Sequence, residues 1–164
     1  MTAAERALDP QARLQRALDL AYRQLGRRDR TVAELRRHLA AKAVEPQTID
    51  EAIDELTRQS YLDDARYARR YAEDRRTLDA WGPERIERKL MAAGVERELI
   101  ATALADRDGG DELDAAVALL RRRWRELPAT DRERERALGL LVRKGYDLEL
   151  AYDAVRALTR ADAA

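Results

Sequence analysis

The chain has no cysteine, which excludes disulfides, thiolate metal ligands and cysteine nucleophiles together. Its single histidine, His38, has nothing beside it that suggests a ligand set, so there is no basis for a His-based zinc site or a Ser-His-Asp triad. Phenylalanine is absent and aromatics are only 5% of residues, so Ala and Leu supply most of the 45% apolar content, and such a core suits helices better than strands. Excess charge of one sign is also missing: 32 basic side chains face 32 acidic ones, which rules out a uniformly basic nucleic-acid coat and an acidic solvating tail. No apolar run reaches 18 residues and the first residues carry none, so neither a signal peptide nor a membrane span is expected, and the expected location is cytoplasmic. Only three basic residues are Lys (Lys42, Lys89, Lys144); an Arg excess with abundant Ala is also what GC-rich coding produces, so by itself it carries no functional reading.

What the chain does have is an internal repeat, at an offset of 51 residues. Leu35, Ile86 and Ala137 correspond, as do Leu39, Leu90 and Leu141; Val44, Val95 and Tyr146; Ile49, Ile100 and Ala151; and Ile53, Leu104 and Val155. The turns Lys42-Ala43-Val44, Ala93-Gly94-Val95 and Lys144-Gly145-Tyr146 align without insertion. A helix often ends on a left-handed Gly followed by an apolar residue that folds back on the last turn, and Gly94-Val95 over Leu90 and Gly145-Tyr146 over Leu141 fit that description. Ala43 either takes the same positive φ at a cost of roughly 1 kcal/mol or makes a different turn.

Helix starts are marked as well. Thr31 with Glu34 and Thr130 with Glu133 read as capping boxes, Pro83 follows Gly82 at a first helical position, Pro46 and Asp147 open third helices, and Asp63 or Asp64 opens the second copy. Apolar spacing places an amphipathic helix ahead of each matched one, through Leu14–Leu25, Ala65–Ala72 and Leu113–Leu127. These signals predict an all-α fold of nine helices, near 12–26, 31–42, 46–60, 63–79, 83–93, 96–107, 111–127, 131–144 and 147–160. They divide into a tail over 1–11 and three-helix repeats over 12–62, 63–108 and 109–160, with Gly109-Gly110 as a hinge or linker. Units this small approach the lower limit for independent stability, so three in tandem are expected to lean on one another as an elongated array.

Zero net charge hides segregation. Residues 12–30 are net +4 and 31–42 net +2, whereas 45–58 are net −4. The second helices of all three copies are basic and the third helices acidic. In a DNA-reading helix-turn-helix the third helix would enter the groove, and here it would bring the wrong sign to the phosphates. A two-signed surface fits docking onto a protein, or onto a protein–nucleic acid assembly that presents both signs.

Two Arg clusters stand out. Arg121, Arg122, Arg123 and Arg125 surround Trp124, and read either as an anion contact or as a solvated face with the Trp in the core. Arg66, Arg69, Arg70, Arg75 and Arg76 are interleaved with acidic residues and read equally as a salt-bridged surface. Tyr61, Tyr67, Tyr71 and Trp81 bracket the middle copy, as core caps or as a stacking surface for single-stranded bases. No phosphate-cradling Gly loop or isolated carboxylate pair points to catalysis, so no enzyme and no cofactor is expected.

The middle copy carries Tyr61-Leu62-Asp63-Asp64, Tyr67-Ala68, Tyr71, Arg75-Arg76, Gly82-Pro83, Arg85-Ile86, Leu90 and Gly94-Val95, and the first carries Leu25, Arg28, Thr31, Glu34-Leu35, Leu39 and Leu56. In that order and spacing these residues resemble the RecX family of recombinase regulators over roughly residues 14–158. The chain departs from the family at Ala43, where Gly is usual, and in a looser third copy. The resemblance implies tandem three-helix repeats and a non-enzymatic regulator that binds RecA and its filament on single-stranded DNA. Such a regulator inhibits ATP hydrolysis, strand exchange and filament growth in homologous recombination, DNA repair and the SOS response. A monomer is expected, with weak direct DNA binding at most; the alternative is a stand-alone DNA-binding helical module. The candidate partner-binding residues are Arg66, Arg69, Arg70, Arg75, Arg76, Arg85, Arg88, Lys89, Arg121, Arg122, Arg123 and Arg125.

Overall fold

The computed structural model describes residues 9–105, 109–124, 128 and 130–160. Among them are nine helices and no strand: α1 (Pro10–Leu25), α2 (Val32–Ala41), α3 (Pro46–Arg58), α4 (Asp64–Asp79), α5 (Pro83–Ala92), α6 (Arg97–Ala105), α7 (Gly109–Arg123), α8 (Asp131–Lys144) and α9 (Leu148–Arg160). The all-α reading with three three-helix repeats therefore holds. One expectation is corrected: Gly109 and Gly110 are not a hinge or linker but the first residues of α7. First-turn N–H groups need no intrahelical partner, and Asp111 and Glu112 place negative charge on the same turn, so the weak propensity of Gly matters least there. α7 ends at Arg123, short of the predicted 127, and residues 125–127 lie outside the described residues.

Caps explain most of the boundaries. The Asp9 carboxylate accepts from the Ala12 N–H (2.8 Å) to start α1. Both predicted capping boxes are formed, Thr31 with Glu34 and Thr130 with Glu133. Left-handed residues end the second helix of every copy: Ala43 (φ 59°), Gly94 (83°) and Gly145 (91°). The Val44 N–H reaches the Leu39 carbonyl and the Tyr146 N–H reaches that of Leu141, the 6→1 bonds of a Schellman turn. Two further left-handed residues, Ser60 (63°) and Ala80 (52°), close α3 and α4. There the Tyr61 N–H bonds the Leu56 carbonyl (2.9 Å) and the Trp81 N–H bonds that of Arg75 (3.1 Å).

The chain forms two compact units, one of residues up to Ala68 together with Met91–Leu99, the other of Arg69–Leu90 and Ile100 onward. In the first, α1 packs on α3 around Ala17, Ala21, Leu35, Leu39, Ile49, Ala52, Ile53, Leu56 and Leu62. In the second, α7 and α8 pack on α9 around Ala116, Leu120, Ala137, Leu141, Tyr146, Ala151, Ala154, Val155 and Leu158. Of the fifteen positions matched by the repeat, all are buried except Val44 and Leu104, which are half-buried.

Within each unit, one repeat is docked on its neighbour by the same device. In the first, the Thr31 hydroxyl at the start of α2 donates to the Ala93 carbonyl at the end of α5 (2.6 Å). A Cβ on Gly94 would lie 2.3 Å from Ala33 Cβ. In the second, the Gly82 and Glu84 N–H groups at the start of α5 donate to the Lys144 and Gly145 carbonyls ending α8 (2.8 and 3.1 Å), and a Cβ on Gly145 would lie 2.3 Å from Arg85 Cβ. Thr31 pairs with Ala93 as Gly82 pairs with Lys144, 51 residues on, so the repeat extends to its joints. In both joints a donor at one helix start meets a carbonyl at another helix end, a side-chain hydroxyl in the first unit and spare backbone N–H groups in the second. Ala43 is exposed and carries no such load, which is why its Cβ fits where Gly94 and Gly145 can have none. Substituting Gly94→Ala or Gly145→Ala should therefore cost well over the roughly 1 kcal/mol of left-handed strain alone, whereas Ala43→Gly should leave stability unchanged or raise it by up to about 1 kcal/mol. Urea unfolding midpoints at unchanged slope measure both effects.

Candidate partner interface

The Tyr61-Leu62-Asp63-Asp64 motif divides its labour. Leu62 is buried in the first core. The Asp63 carboxylate accepts from the Arg66 N–H (2.8 Å) and caps its own helix, α4. The Asp64 carboxylate instead accepts from the Val32 N–H (3.0 Å) and caps α2 of the preceding repeat. Tyr61 remains 56% exposed. Burial pushes the Asp64 carboxyl above its ordinary range, and the nearby Asp63, Glu96 and Glu34 add to this, against the lowering by the Val32 hydrogen bond.

The predicted arginines fall into two groups. Several are occupied with helix ends, where cations suit the exposed carbonyls. Arg66 Nη2 donates to the Ser60 carbonyl (2.9 Å), Arg76 Nη2 to that of Leu104 (3.0 Å) and Arg85 Nη1 to that of Arg143 (3.1 Å). Lys144, absent from the predicted set, does the same for Asp79 (2.7 Å). Arg75 pairs with Asp79 and lies over the rings of Tyr71 (5.5 Å) and Trp81 (5.7 Å), while Arg85 stacks on Trp81 at 4.1 Å. These contacts make Trp81 an anchor for two guanidinium groups, and burial raises the Tyr71 hydroxyl pKa.

The second group is presented to solvent. Arg69 and Arg70 are exposed on α4, Arg88 and Lys89 on α5, and Arg121, Arg122 and Arg123 on α7. Arg88 donates to the Glu84 carbonyl of its own helix (3.3 Å), and Arg123 lies 5.7 Å from the half-buried Trp124 ring, which packs on the second core. Arg125 lies outside the described residues. Acidic side chains are exposed on α3 at Asp50, Glu51 and Asp54, with Asp50 paired to Arg36 of α2. In the first repeat His38 is held below its ordinary pKa, mainly by burial and then by Lys42, Arg30 and Arg27. Arg28 is raised by its hydrogen bond to Glu34 (2.9 Å).

Two surface grooves accompany these charges. One, of about 470 Å³, is lined by Tyr22, Leu25, Gly26 and Tyr61, with the two tyrosine rings edge to face at 5.2 Å. The other, of about 380 Å³, lies between α8 and α9 beside Leu138, Tyr152 and Val155, with Asp131, Arg134, Glu135 and Arg156 at its rim. Sequence spacing did not join Tyr22 to Tyr61, since 39 residues separate them. No described helix is long and apolar enough to cross a membrane.

Removing the Asp64 cap by Asp64→Ala should cost about 1–2 kcal/mol, and Asp64→Asn, which keeps an acceptor for Val32, should cost less. The folded-state carboxyl titrates above its unfolded counterpart. The protonated side chain thus contributes stability at low pH that is lost as pH rises through the folded-state pKa. Asp64→Asn should gain on the wild type over that acidic interval, as read by urea unfolding at a series of pH values.

Family models for the first, second and third three-helix domains of RecX match residues 17–56, 63–104 and 110–155. A protein named Regulatory protein RecX from Xanthomonas axonopodis pv. citri is 36% identical over 158 residues, covering 96% of this chain and 91% of its own. A protein of the same name from Mycolicibacterium smegmatis is 32% identical over 157 residues, covering 92% and 84%. Among solved structures, RecX from Lactobacillus salivarius superposes with a TM-score of 0.80 at 18% identity, over 90% of this chain and 97% of its own. A second structure of regulatory protein RecX gives 0.75 at 21% identity, over 90% and 73%. With all three repeats matched in order and relatives above 30% identity along nearly the whole length, the chain belongs to the RecX family of regulatory proteins.

Proposed function

We propose that this protein binds the RecA recombinase and its filament on single-stranded DNA and restrains ATP hydrolysis, strand exchange and filament growth in recombinational DNA repair. The observation that carries this reading is the match of all three repeats, in order, to a family whose members are named as regulatory proteins. The chemistry of the surface supports it. Exposed Arg69, Arg70, Arg88, Lys89, Arg121 and Arg122 offer cations on three different helices, and exposed Asp50, Glu51 and Asp54 offer anions on a fourth. A nucleoprotein filament presents phosphates and protein charges of both signs, and such complementarity sets orientation and encounter rate more than affinity. Three linked repeats also gain effective concentration from contacts that are individually weak. Action without catalysis, as a monomer, in the cytoplasm, belongs to the same reading.

The helix-end arginines and the exposed ones should behave differently. Arg85→Ala should lower stability by about 1–2 kcal/mol, through loss of its bond to the Arg143 carbonyl and of its stacking on Trp81. The triple substitution Arg69→Ala, Arg88→Ala, Lys89→Ala should keep the helical signal and weaken filament binding about tenfold, on the order of 1.4 kcal/mol. Cosedimentation with preassembled RecA filaments and RecA ATPase assays measure this. Unchanged ATPase, filament length and strand exchange at saturating protein would remove the proposal. Tight, salt-sensitive DNA binding in the absence of RecA, with no effect on RecA, would favour a stand-alone DNA-binding module instead.

A further inference from the structure

We propose that the groove between Tyr22 and Tyr61 in the first repeat is a binding site for an unstacked base of a single-stranded nucleic acid, with Arg27, Arg66 and Arg23 placed for the flanking phosphates.

The walls of the groove are held in place. The Tyr22 hydroxyl donates to Gln59 Oε1 (2.6 Å), so this ring is fixed between α1 and the end of α3. Tyr61 follows the left-handed Ser60, and its N–H bonds the Leu56 carbonyl, so its backbone is fixed even though the side chain is more than half exposed. The rings stand 73° apart, the edge of one against the face of the other, and the groove opens beside that contact with aromatic surface in its wall. Leu25 forms an apolar floor. Gly26 has an ordinary helical φ of −68°, so no turn demands glycine there; its lack of a side chain keeps that side of the groove open. A Cβ at Gly26 would meet the Tyr22 carbonyl oxygen at 3.3 Å. Tyr61 lies outside the buried core and packs edge to face on Tyr22, with more than half of its surface left to solvent.

Cations adjoin the corner along the chain. Arg27, exposed, follows Gly26 directly, and Arg23, exposed, adjoins Tyr22 and donates its Nε–H to the Asp19 carbonyl (3.1 Å); exposed Asp19 and Asp29 lie on the same stretch, Asp19 bonded to Gln15. Arg66 spends one nitrogen on the Ser60 carbonyl, next to Tyr61, and a guanidinium has further donors to offer. Neighbouring carboxylates are engaged: Glu55 with Arg58 and Gln59, Asp63 with the first turn of α4, and Glu34 with Arg28. An aromatic corner beside cations takes a π-face linked to phosphates, and only an unpaired strand can turn a base out onto it. With Gln59 Oε1 already bonded to Tyr22, nothing in the corner is placed to read a particular base edge, so recognition should tolerate sequence. The groove beside Tyr152 lacks this character, since Asp131 and Glu135 share its rim with the arginines.

The site would give the proposed filament role a hold on the strand, and in that sense it rests on that reading; its test is run without RecA. Fluorescence anisotropy of a labelled oligothymidylate is measured at low salt with the full chain. Tyr61→Ala should weaken binding about tenfold or more, and Tyr61→Phe or Tyr61→Trp should retain it, because the stacking face survives. Binding to a duplex should be unaffected by Tyr61→Ala. Circular dichroism verifies that each variant is folded. Failure of the wild-type protein to bind the strand, wild-type affinity in Tyr61→Ala, or an equal loss in Tyr61→Phe would each overturn the proposal. Loss of RecA-filament binding in Tyr61→Ala with strand binding intact would also overturn it, and would assign the corner to a protein side chain. RecA ATPase with wild-type protein, run in parallel, reports on the filament role separately.

Discussion

The structure depends on a helix end meeting a helix start. A helix leaves unpaired N–H groups at one end and unpaired carbonyls at the other, and small repeats have little core with which to hold their neighbours. In each compact unit the helix-end carbonyls are met by the helix start of a neighbouring repeat: by the Thr31 hydroxyl at Ala93 in one, by the Gly82 and Glu84 N–H groups at Lys144 and Gly145 in the other. The left-handed turn serves both sides of the contact. At Gly145 it satisfies its own helix through the Tyr146 N–H bond to Leu141, and at both Gly94 and Gly145 it lacks the Cβ that would hold the neighbouring helix start away. In the first unit a carboxylate joins as well, where Asp64 caps α2 from the following repeat.

This constraint sorts the basic residues. The same need to satisfy helix-end carbonyls engages Arg66, Arg76, Arg85 and Lys144, and fixes Arg75 and Arg85 around Trp81. Arg69, Arg70, Arg88, Lys89, Arg121, Arg122 and Arg123 are exposed on α4, α5 and α7, and Asp50, Glu51 and Asp54 are exposed on α3. A protein with zero net charge can in this way present local fields of both signs.

Local signals carried most of the fold into the sequence. The capping boxes at Thr31 and Thr130, Pro83 after Gly82, and the left-handed Gly94 and Gly145 are each decided within about four residues, and each forms as read. Ser60 and Ala80 escaped notice because a non-glycine residue at positive φ leaves no mark on composition. Gly109-Gly110 misled because glycine that opens a helix looks the same as glycine that joins two domains. The roles of the arginines were illegible for another reason: Arg76 reaches a carbonyl 28 residues away and Arg85 one 58 residues away, and no periodicity encodes such pairs. The Tyr22–Tyr61 corner is likewise a product of tertiary packing, formed only when α1 lies on α3.

The pairing of helix starts with helix ends is the claim on which all this stands, and native-state hydrogen exchange of the joint amides tests it most directly. The N–H groups of Gly82 and Glu84 lie at the start of α5 and donate to the carbonyls ending α8, where an unpaired amide would exchange with little protection. They should instead exchange at rates approaching those of the buried core helices of their own unit. Exchange of these two amides at the rate of an open loop, with the cores still protected, would contradict the account.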